Sequence, residues 1–535
     1  MQERIEEFDA VVVGAGLSGL YMLHELRGQG LSVRVYEAGD GVGGTWFWNR
    51  YPGARCDVES MEYSYSFSPE LEQEWEWTEK YPTQPEILRY IEHVADRFDL
   101  RRDVVLQTRV ESAVFDEENG RWTVATEGGE RVSAQFCIMA TGCLSTSKTP
   151  EIPGLETFQG RWYHTGHWPH EGVDFTGLRV GVVGTGSSGI QSIPLIAEQA
   201  EHLTVFQRTP NFAMPAGNRP LDPAQQADLK ARYPEHRQAA RESGFGIPVP
   251  LPTQSALEVD AAERDRAYQA GWDKGSLVSI LLSYTDTIVD KAANDTAAEF
   301  VRNKIREMVH DPETAEALCP NDHPFGTKRP CLDTNYFATF NRPNVDLVDV
   351  RRTPLQEITP TGLRTSDREY AFDALVFATG FDAMTGALTS IDIRGRDGVR
   401  LKERWAEGPR AYLGLGVAGF PNLFTITGPG SPSVLSNMMV SIEQHVEWIS
   451  ECVAFLRERG HSTIEATEDA QDAWVQHVQD AGNMTLYPTA NSWYMGANVE
   501  GKPRVFMPYI GGVGVYRQKC DDVAAKGYEG FALAE

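Results

Sequence analysis

The stretch FDAVVVGAGLSG at residues 8–19 decides the fold of this chain. An apolar run leads into a loop with the spacing GxGxxG, followed by a helical segment and a second apolar run that ends at Glu37. In such a unit Gly14 permits the tight turn, Gly16 lets the backbone approach a pyrophosphate, and Gly19 lets helix and strand pack. Glu37 stands 18 residues past Gly19 and can accept hydrogen bonds from a ribose diol. The stretch predicts a Rossmann-like dinucleotide site; a glycine-rich packing turn is the alternative.

The same pattern recurs at residues 178–206, where LRVGVV leads into GTGSSG, a helix and the strand HLTVF. Two such units in one chain predict two bound dinucleotides. Arg208 stands 19 residues past Gly189, in the position that Glu37 takes in the first unit. A carboxylate there would repel a 2′-phosphate and a guanidinium can bind it, so this site is expected to prefer NADP to NAD. A surface arginine is the alternative, and spacing alone does not place Lys328 beside it.

A second glycine cluster, GVGGTW at residues 41–46, follows the first unit at once. This continuation resembles the way in which flavoproteins with two dinucleotides extend their FAD site, so the first site is assigned to FAD. The polar loop NRYPGARCD at residues 49–57 contains a Pro-Gly turn and is expected to lie near that cofactor. Two apolar strands end in Ala-Thr-Gly, at residues 140–142 and 378–380, as expected where a chain crosses between nucleotide domains; an ordinary turn is the alternative.

Composition narrows the class of protein. A chain of 535 residues is expected to form two or three domains. The net charge of −27 disfavours nucleic acid and anionic membranes as partners. Seven scattered cysteines form no CxxC pair and no Cys/His set at zinc spacing, which favours reduced thiols and no metal site. The sequence begins without a basic and apolar leader and has no run of about 18 apolar residues, so a soluble cytoplasmic protein is expected; the oligomeric state is not indicated.

The expected fold class is α/β, with two Rossmann-like dinucleotide-binding domains for FAD and NADP and a helical insertion. Apart from a stretch rich in proline and glycine at 243–253, residues 220–325 largely follow a helical period. The expected boundaries are 1–145 and 385–535 for the FAD-binding domain, 150–220 and 328–384 for the NADP-binding domain, and 221–327 for the helical insertion.

Between the two units lies FQGRWYHTGHWP, residues 158–169. This segment matches FxGxxxHxxxWP, the fingerprint of Baeyer–Villiger monooxygenases, at Phe158, Gly160, His164, Trp168 and Pro169. The chain resembles this family of class B flavoprotein monooxygenases over nearly its whole length, and is most similar to phenylacetone, steroid and cycloalkanone monooxygenases. The resemblance is also carried by residues 49–57, by FGTKR at 325–329, by GPGSPS at 428–433 and by SWY at 492–494.

The resemblance implies conversion of ketones to esters or lactones with NADPH and O2, through a C4a-peroxyflavin formed on FAD, with sulfoxidation as a side reaction. It implies that Arg329 stabilises the oxygen-derived anion and the charge on the ketone adduct, and that Asp57 orients Arg329. Without the motif, Arg329 would be interpreted as a surface ion pair and Asp57 as a loop cap. His164 is expected to act chiefly in the linker between domains, not in proton transfer.

The resemblance also assigns contacts. Lys328, Arg208 and Thr209 are similar to residues that hold the nicotinamide nucleotide, and Trp493 to a tryptophan that folds over it. The implied cofactor-binding residues are Gly14, Gly16, Ser18, Gly19, Glu37, Gly44, Thr45, Trp46, Trp48, Arg55, Asp57, Tyr63, Val110, Gly184, Thr185, Gly186, Ser187, Ser188, Gly189, Arg208, Thr209, Lys328, Arg329, Met438 and Trp493. The implied substrate-pocket residues are Ser433, Val434 and Leu435, for which plain core packing is the alternative.

One position departs from the family pattern. Phenylacetone-type members carry a glutamine after the glycine that matches Gly142, and this chain has Cys143 there, which puts that amide's flavin contact in question. Three other functions are weighed. An N- or S-oxygenating flavin monooxygenase shares both glycine loops but is disfavoured by Trp168-Pro169 and by Arg329. A flavin disulfide reductase requires a redox cysteine pair, which is missing, and a non-catalytic NADPH-binding sensor is the remaining alternative.

Overall fold

A computed structural model describes residues 5–535, which form 20 strands and 16 α-helices. The strands are β1 (Glu6–Val13), β2 (Val33–Tyr36), β3 (Val104–Val105), β4 (Val110–Asp116), β5 (Arg121–Thr126), β6 (Arg131–Met139), β7 (Arg161–His164), β8 (Arg179–Val183), β9 (His202–Gln207), β10 (Ala213–Pro215), β11 (Cys331–Asp333), β12 (Val345–Asp349), β13 (Leu355–Thr359), β14 (Gly362–Thr365), β15 (Glu369–Ala371), β16 (Ala374–Phe377), β17 (Asp392–Arg394), β18 (Leu423–Thr425), β19 (Thr463–Ala466) and β20 (Phe531–Ala534).

The helices connect these strands and cover both faces of the sheets. They are α1 (Leu17–Gly28), α2 (Thr45–Trp48), α3 (Pro69–Glu74), α4 (Gln84–Arg97), α5 (Ser187–Gln199), α6 (Pro223–Ala231), α7 (Tyr233–Glu242), α8 (Ala261–Lys274), α9 (Lys291–Met308), α10 (Pro312–Leu318), α11 (Tyr336–Thr339), α12 (Gly386–Thr389), α13 (Leu401–Arg404), α14 (Met438–Arg459), α15 (Glu468–Asn483) and α16 (Val513–Ala525). Among the helices of residues 5–535, none has both the length and the apolar character that crossing a bilayer requires.

The larger sheet carries the first glycine unit. Its main path is β17-β4-β5-β6-β1-β2-β3, and β18 pairs with β6. The central strands β6, β1 and β2 are parallel, with Val12 opposite Val35 on one side and Ile138 on the other. Helices α1 and α14 pack together and share a core with this sheet, to which Leu20 and Ile449 belong. Because both faces of these strands are covered, their sequences are continuous apolar runs and not alternating ones.

The second glycine unit lies in a separate parallel sheet of order β12-β9-β8-β16-β7. Helix α5 follows β8 directly and packs against it, with Ile193 and Val182 in one core. A parallel sheet with crossover helices is the doubly wound arrangement of dinucleotide-binding domains. The expected fold class, α/β with two Rossmann-like units, is therefore confirmed.

Helices α6 to α10 lie between the two halves of the second unit along the chain. Four of them begin at an aspartate whose carboxylate accepts a hydrogen bond from an amide of the first turn, which satisfies donors that the helix itself leaves free. Tyr233 of α7 packs in the core of the larger sheet, whereas Ala297 and Val301 of α9 pack in the core of the second sheet. This helical segment therefore bridges both units.

A buried ion pair fastens α7 to the larger unit. Arg237 Nε donates to Glu72 Oε1 at 2.8 Å, and Arg237 Nη2 donates to Ser64 Oγ at 2.6 Å. Each of the two charged side chains is only 8% exposed. Burial raises the pKa of Glu72, which shows that the carboxylate depends on its cation.

Replacing Arg237 with methionine is expected to lower the free energy of unfolding by about 3–5 kcal/mol, because Glu72 is left buried without a cation. Denaturation in urea, followed by circular dichroism, measures the change. Arg232→Met is the matched control: Arg232 pairs with Asp228 on the surface, with 63% of its side chain exposed, and its loss is expected to cost less than about 1 kcal/mol. Equal midpoints for the two variants would contradict the anchoring role.

The chain passes from the larger sheet to the second after β6 and returns after β16, and the two passages pair with each other. Lys148 N donates to Gly380 O at 2.9 Å, and Met384 N donates to Cys143 O at 2.8 Å. An antiparallel bridge joins the residues between these bonds. We refer to residues 143–148 and 380–384 as the crossing ribbon. Both Ala-Thr-Gly stretches lie at its ends.

Candidate active site

The two glycine clusters of the first unit lie in main-chain contact. A Cβ added to Gly44 would lie 2.9 Å from the Gly16 Cα, and Gly44 has a φ of +54°. Glu37, at the end of β2, holds this arrangement: one carboxylate oxygen accepts from Ala15 N and the other from Gly39 N, both at 2.8 Å. Each oxygen keeps a lone pair for a ribose hydroxyl. Backbone approach and a fixed acid suit a dinucleotide.

Most other residues assigned to the cofactors surround the two glycine loops or lie in the adjoining core. Trp46 Nε1 donates to Tyr63 Oη at 3.1 Å, and the Trp48 ring meets the edge of His167, in the fingerprint segment, at 6.0 Å. The remaining positions are Ser18 in α1, Thr45 in α2, Val110 in the apolar core at the start of β4, Met438 at the start of α14, and Ser188 and Gly189 in α5.

The second glycine loop leaves room for a ligand. A Cβ added to Gly186 would meet no atom within 4 Å, so the main chain there is open on the side where a pyrophosphate would approach. Thr185 Oγ1 donates to Thr209 O at 3.0 Å, which ties the loop to the segment after β9. Ser187 Oγ lies 3.2 Å from Cys331 Sγ, so the loop also contacts β11.

Arg329 and Asp57 form a bidentate ion pair. Arg329 Nε donates to Asp57 Oδ2 at 2.7 Å and Nη2 donates to Oδ1 at 2.8 Å, while Nη1 donates to Val434 O at 2.7 Å. Burial alone would raise the pKa of Asp57, but the charge and hydrogen bonds of Arg329 outweigh it and the pKa is lowered. Burial opposes the charge of Arg329 in the same way, and Asp57 raises its pKa well above the usual value. Both groups therefore stay ionised.

The loop that carries Asp57 is held against the second unit. Tyr51 Oη donates to Gln191 Oε1 of α5 at 2.7 Å, and Gln191 Nε2 donates to Arg55 O at 3.1 Å. The Arg55 guanidinium pairs with Glu79 at 3.2 Å. The site thus forms where the larger unit, the second unit and the segment after the helical insertion meet.

An apolar cluster lies beside Arg329. It contains Cys143, whose thiol pKa burial raises to about 11, so the sulfur is protonated at neutral pH. Ser433 and Met384 have φ values of +42° and +68°, a conformation that side chains rarely adopt and that is found preferentially at functional sites. The other buried members are Ala383, Val434, Tyr487, Tyr494, Met495, Phe506 and Met507, with Leu435, Met438 and Trp493 packed at the edge.

The segment that carries Trp493 is fastened to the crossing ribbon. Asn498 Nδ2 donates to Phe381 O at 2.7 Å. Lys502 Nζ donates to Asp382 Oδ1 at 2.6 Å, and the Lys502 side chain is only 10% exposed. The position of Trp493 is thus set by contacts with the passages between the two sheets.

His164 of the fingerprint supports the same ribbon. Its Nε2 lies 3.2 Å from Lys148 O and 3.2 Å from Thr379 Oγ1, and its Nδ1 accepts from Gly166 N at 3.0 Å. Burial lowers the pKa of His164 to about 4, so the ring is neutral at physiological pH. His164 is the last residue of β7, the edge strand of the second sheet, and its side chain contacts the crossing ribbon. Of the other fingerprint residues, Trp168 is buried in the core of the second unit and Phe158 packs at the far side of its sheet.

Sequence reasoning missed several of these contacts. For Gln191 the only signal in the sequence is its place on the helix that begins at the second glycine loop, and this signal does not reveal its partners. Lys502 and Asn498 carry none, because a partner 120 positions away cannot be read from spacing.

Comparisons with known proteins agree with this site. A family model described as pyridine nucleotide-disulphide oxidoreductase matches residues 11–240. A Baeyer-Villiger monooxygenase of Pseudooceanicola batsensis is 43% identical over 525 residues, which cover 98% of this chain and 95% of that relative. The chain belongs to the Baeyer–Villiger monooxygenase family. The family predicted from the fingerprint is therefore confirmed.

Solved structures of Baeyer–Villiger monooxygenases extend the match to cofactors. A structure described as oxidized steroid monooxygenase bound to NADP has 56% sequence identity and a TM-score of 0.95, with 99% of this chain and 100% of that chain covered. An OTEMO complex with FAD and NADP has 42% identity, a TM-score of 0.96 and the same coverage. The enzyme is an FAD- and NADPH-dependent Baeyer–Villiger monooxygenase, as predicted, and converts ketones to esters or lactones with O2.

Proposed function

We propose that this enzyme acts on uncharged, apolar ketones, with Arg329 as the cation that stabilises negative charge at the reacting carbonyl and Asp57 as the residue that positions it. The ion pair at the edge of the apolar cluster carries this proposal. Asp57 and Val434 accept from three of the five N–H groups of the guanidinium, which leaves at most two for the Tyr494 phenol beside it and a developing oxyanion. Donors fixed in advance stabilise such charge without reorganisation.

The residues present fit both cofactors. The contact between Gly16 and Gly44, with Glu37 beside it, would hold FAD, and the open main chain at Gly186 would hold the pyrophosphate of NADPH. Bound FAD, reduced by NADPH, supplies the activation of dioxygen. The protein's share is to bind and orient both cofactors, to exclude water with the apolar cluster, and to cover the site with the segment that carries Trp493.

The walls of the pocket support the substrate class. Cys143, Met384 and Val434 offer apolar surface, and Ser433 adds one hydroxyl. The charged groups beside the cluster are already paired: Arg329 with Asp57, and Lys502, which donates to Ala383 O, with Asp382. A substrate with its own charge would lose hydration there without gaining a partner.

Ketones of graded bulk, each paired with a carboxylate-bearing analogue, test the proposal. Ester or lactone is measured by gas chromatography against NADPH consumed. We expect stoichiometric ester from neutral ketones and little from their charged analogues. A thioether and a tertiary amine are tested in parallel. If the enzyme oxidised these two compounds but formed no ester from any ketone, the proposed function would be wrong.

A further inference from the structure

The carboxyl ends of β9 and β12 bring two arginines to the same edge of the second sheet. These strands are parallel neighbours with Gln207 opposite Asp349, and Val350 N donates to Gln207 O at 2.9 Å. Arg208 follows the first strand directly and Arg351 follows the second by one further residue. Because neighbouring strands lie about 4.8 Å apart, the two arginines stand at adjacent strand ends on one edge of the sheet.

Lys328 joins them. Burial lowers the pKa of Lys328, and the charges of Arg208 and Arg351 lower it further, whereas Asp322 acts in the opposite direction. Lys328 therefore lies within electrostatic range of both arginines. A concentration of three cations is informative in a chain whose net charge is −27.

Two carboxylates contact Arg351 in this cluster. Asp322 accepts a hydrogen bond from His323 Nδ1 at 2.7 Å, and its other oxygen lies 3.7 Å from Arg351 Nη1. Arg351 Nε also lies 3.4 Å from Asp349. Both contacts of Arg351 are long, and 44% of its side chain is exposed, so the guanidinium is held loosely and can turn toward a stronger anion.

We propose that Arg351 is a third ligand of the 2′-phosphate of NADPH, beside Arg208 and Lys328, and that Asp322 is the counter-ion which the phosphate displaces. This inference rests on the proposed use of Arg208 and Lys328 at the same phosphate. A phosphate dianion offers three acceptor oxygens and is best matched by more than one charged donor. An adenosine ribose without the phosphate would gain nothing from Arg351, so the residue contributes to the preference for NADPH over NADH.

Calorimetric titration of the FAD-loaded enzyme with NADP⁺, NAD⁺ and 2′,5′-ADP tests the inference without turnover. Arg351→Gln is expected to weaken the binding of NADP⁺ and 2′,5′-ADP by about 2- to 5-fold and to leave that of NAD⁺ unchanged, the size expected for one partly exposed ion pair. Arg351→Lys is expected to retain most of the affinity. Asp322→Asn is expected to tighten NADP⁺ by about 2- to 5-fold, because one repulsive charge is removed.

Arg352→Gln is the matched control. This neighbour is 70% exposed and contacts Glu313 and Asp349, and its loss is expected to change each affinity by less than about twofold. The inference would be overturned if Arg351→Gln lost equal affinity for NADP⁺ and NAD⁺, or lost no more affinity than the control. Weaker binding of NADP⁺ by Asp322→Asn would also overturn it. If Arg208→Gln and Arg351→Gln both keep the preference for NADP⁺ over NAD⁺, the proposed phosphate site is wrong. If only Arg351→Gln keeps that preference, the site stands and only the role of Arg351 as a third ligand is wrong.

Discussion

Replacing Arg329 with alanine is expected to reduce ester formation by at least about 10²- to 10³-fold, the usual cost of a lost oxyanion donor. The change removes the cation and leaves the Asp57 carboxylate without its partner beside the apolar cluster. Flavin reduction by NADPH is expected to persist, because Arg329 is not proposed to transfer the hydride. Stopped-flow bleaching near 450 nm and product analysis measure the two steps separately.

Two further variants sharpen this result. Arg329→Lys keeps the charge but loses the bidentate geometry with Asp57, and an intermediate rate is expected. Asp57→Asn keeps Arg329 but removes the partner that holds its pKa high and its plane fixed, so slower ester formation with normal flavin reduction is expected. Ester formation at the original rate in Arg329→Ala would remove this residue from the chemistry.

Replacing Gly44 with alanine is expected to yield protein that carries less than about one tenth of its FAD. The new Cβ would lie 2.9 Å from the Gly16 Cα, and the φ of +54° is itself unfavourable for alanine. Both effects would push apart the two glycine clusters that we propose hold FAD. The ratio of absorbance at 450 nm to that at 280 nm of the purified protein measures occupancy.

Gly28→Ala is the matched control for this change. Gly28 ends α1 of the same unit, and a Cβ there would meet nothing within 4 Å. Full flavin content is expected, with slightly higher stability from the better helix former. Circular dichroism separates loss of flavin from loss of fold. A fully yellow Gly44→Ala variant would show that the contact between the clusters is dispensable.

The two nucleotide units could be predicted because everything that defines them is local. Strand, glycine loop, helix and terminal residue lie within about 30 consecutive residues, and each part has its own mechanical reason. The contrast between Glu37 and Arg208 follows from comparing two copies of one pattern inside a single chain. The fingerprint segment likewise lies in one short stretch, from Phe158 to Pro169.

The core of the active site could not be derived in this way. Asp57 and Arg329 are 272 positions apart, and their pairing was available only through resemblance to a family. Nor does spacing reveal that one oxygen of Glu37 accepts from the amide of Ala15, because those two residues are 22 positions apart and meet only when the glycine loop folds against β2. Long-range contacts depend on how sheets and insertions pack, and a one-dimensional pattern does not carry that information.

The crossing ribbon has a mechanical consequence. The crossing ribbon connects the two nucleotide units. It also holds the segment bearing Trp493, through Lys502 and Asn498. If one unit tilted against the other, the crossing ribbon would bend. The segment bearing Trp493 would then have to move with it or lose the hydrogen bonds that attach it. We therefore expect the position of the segment bearing Trp493 to change with the angle between the two units.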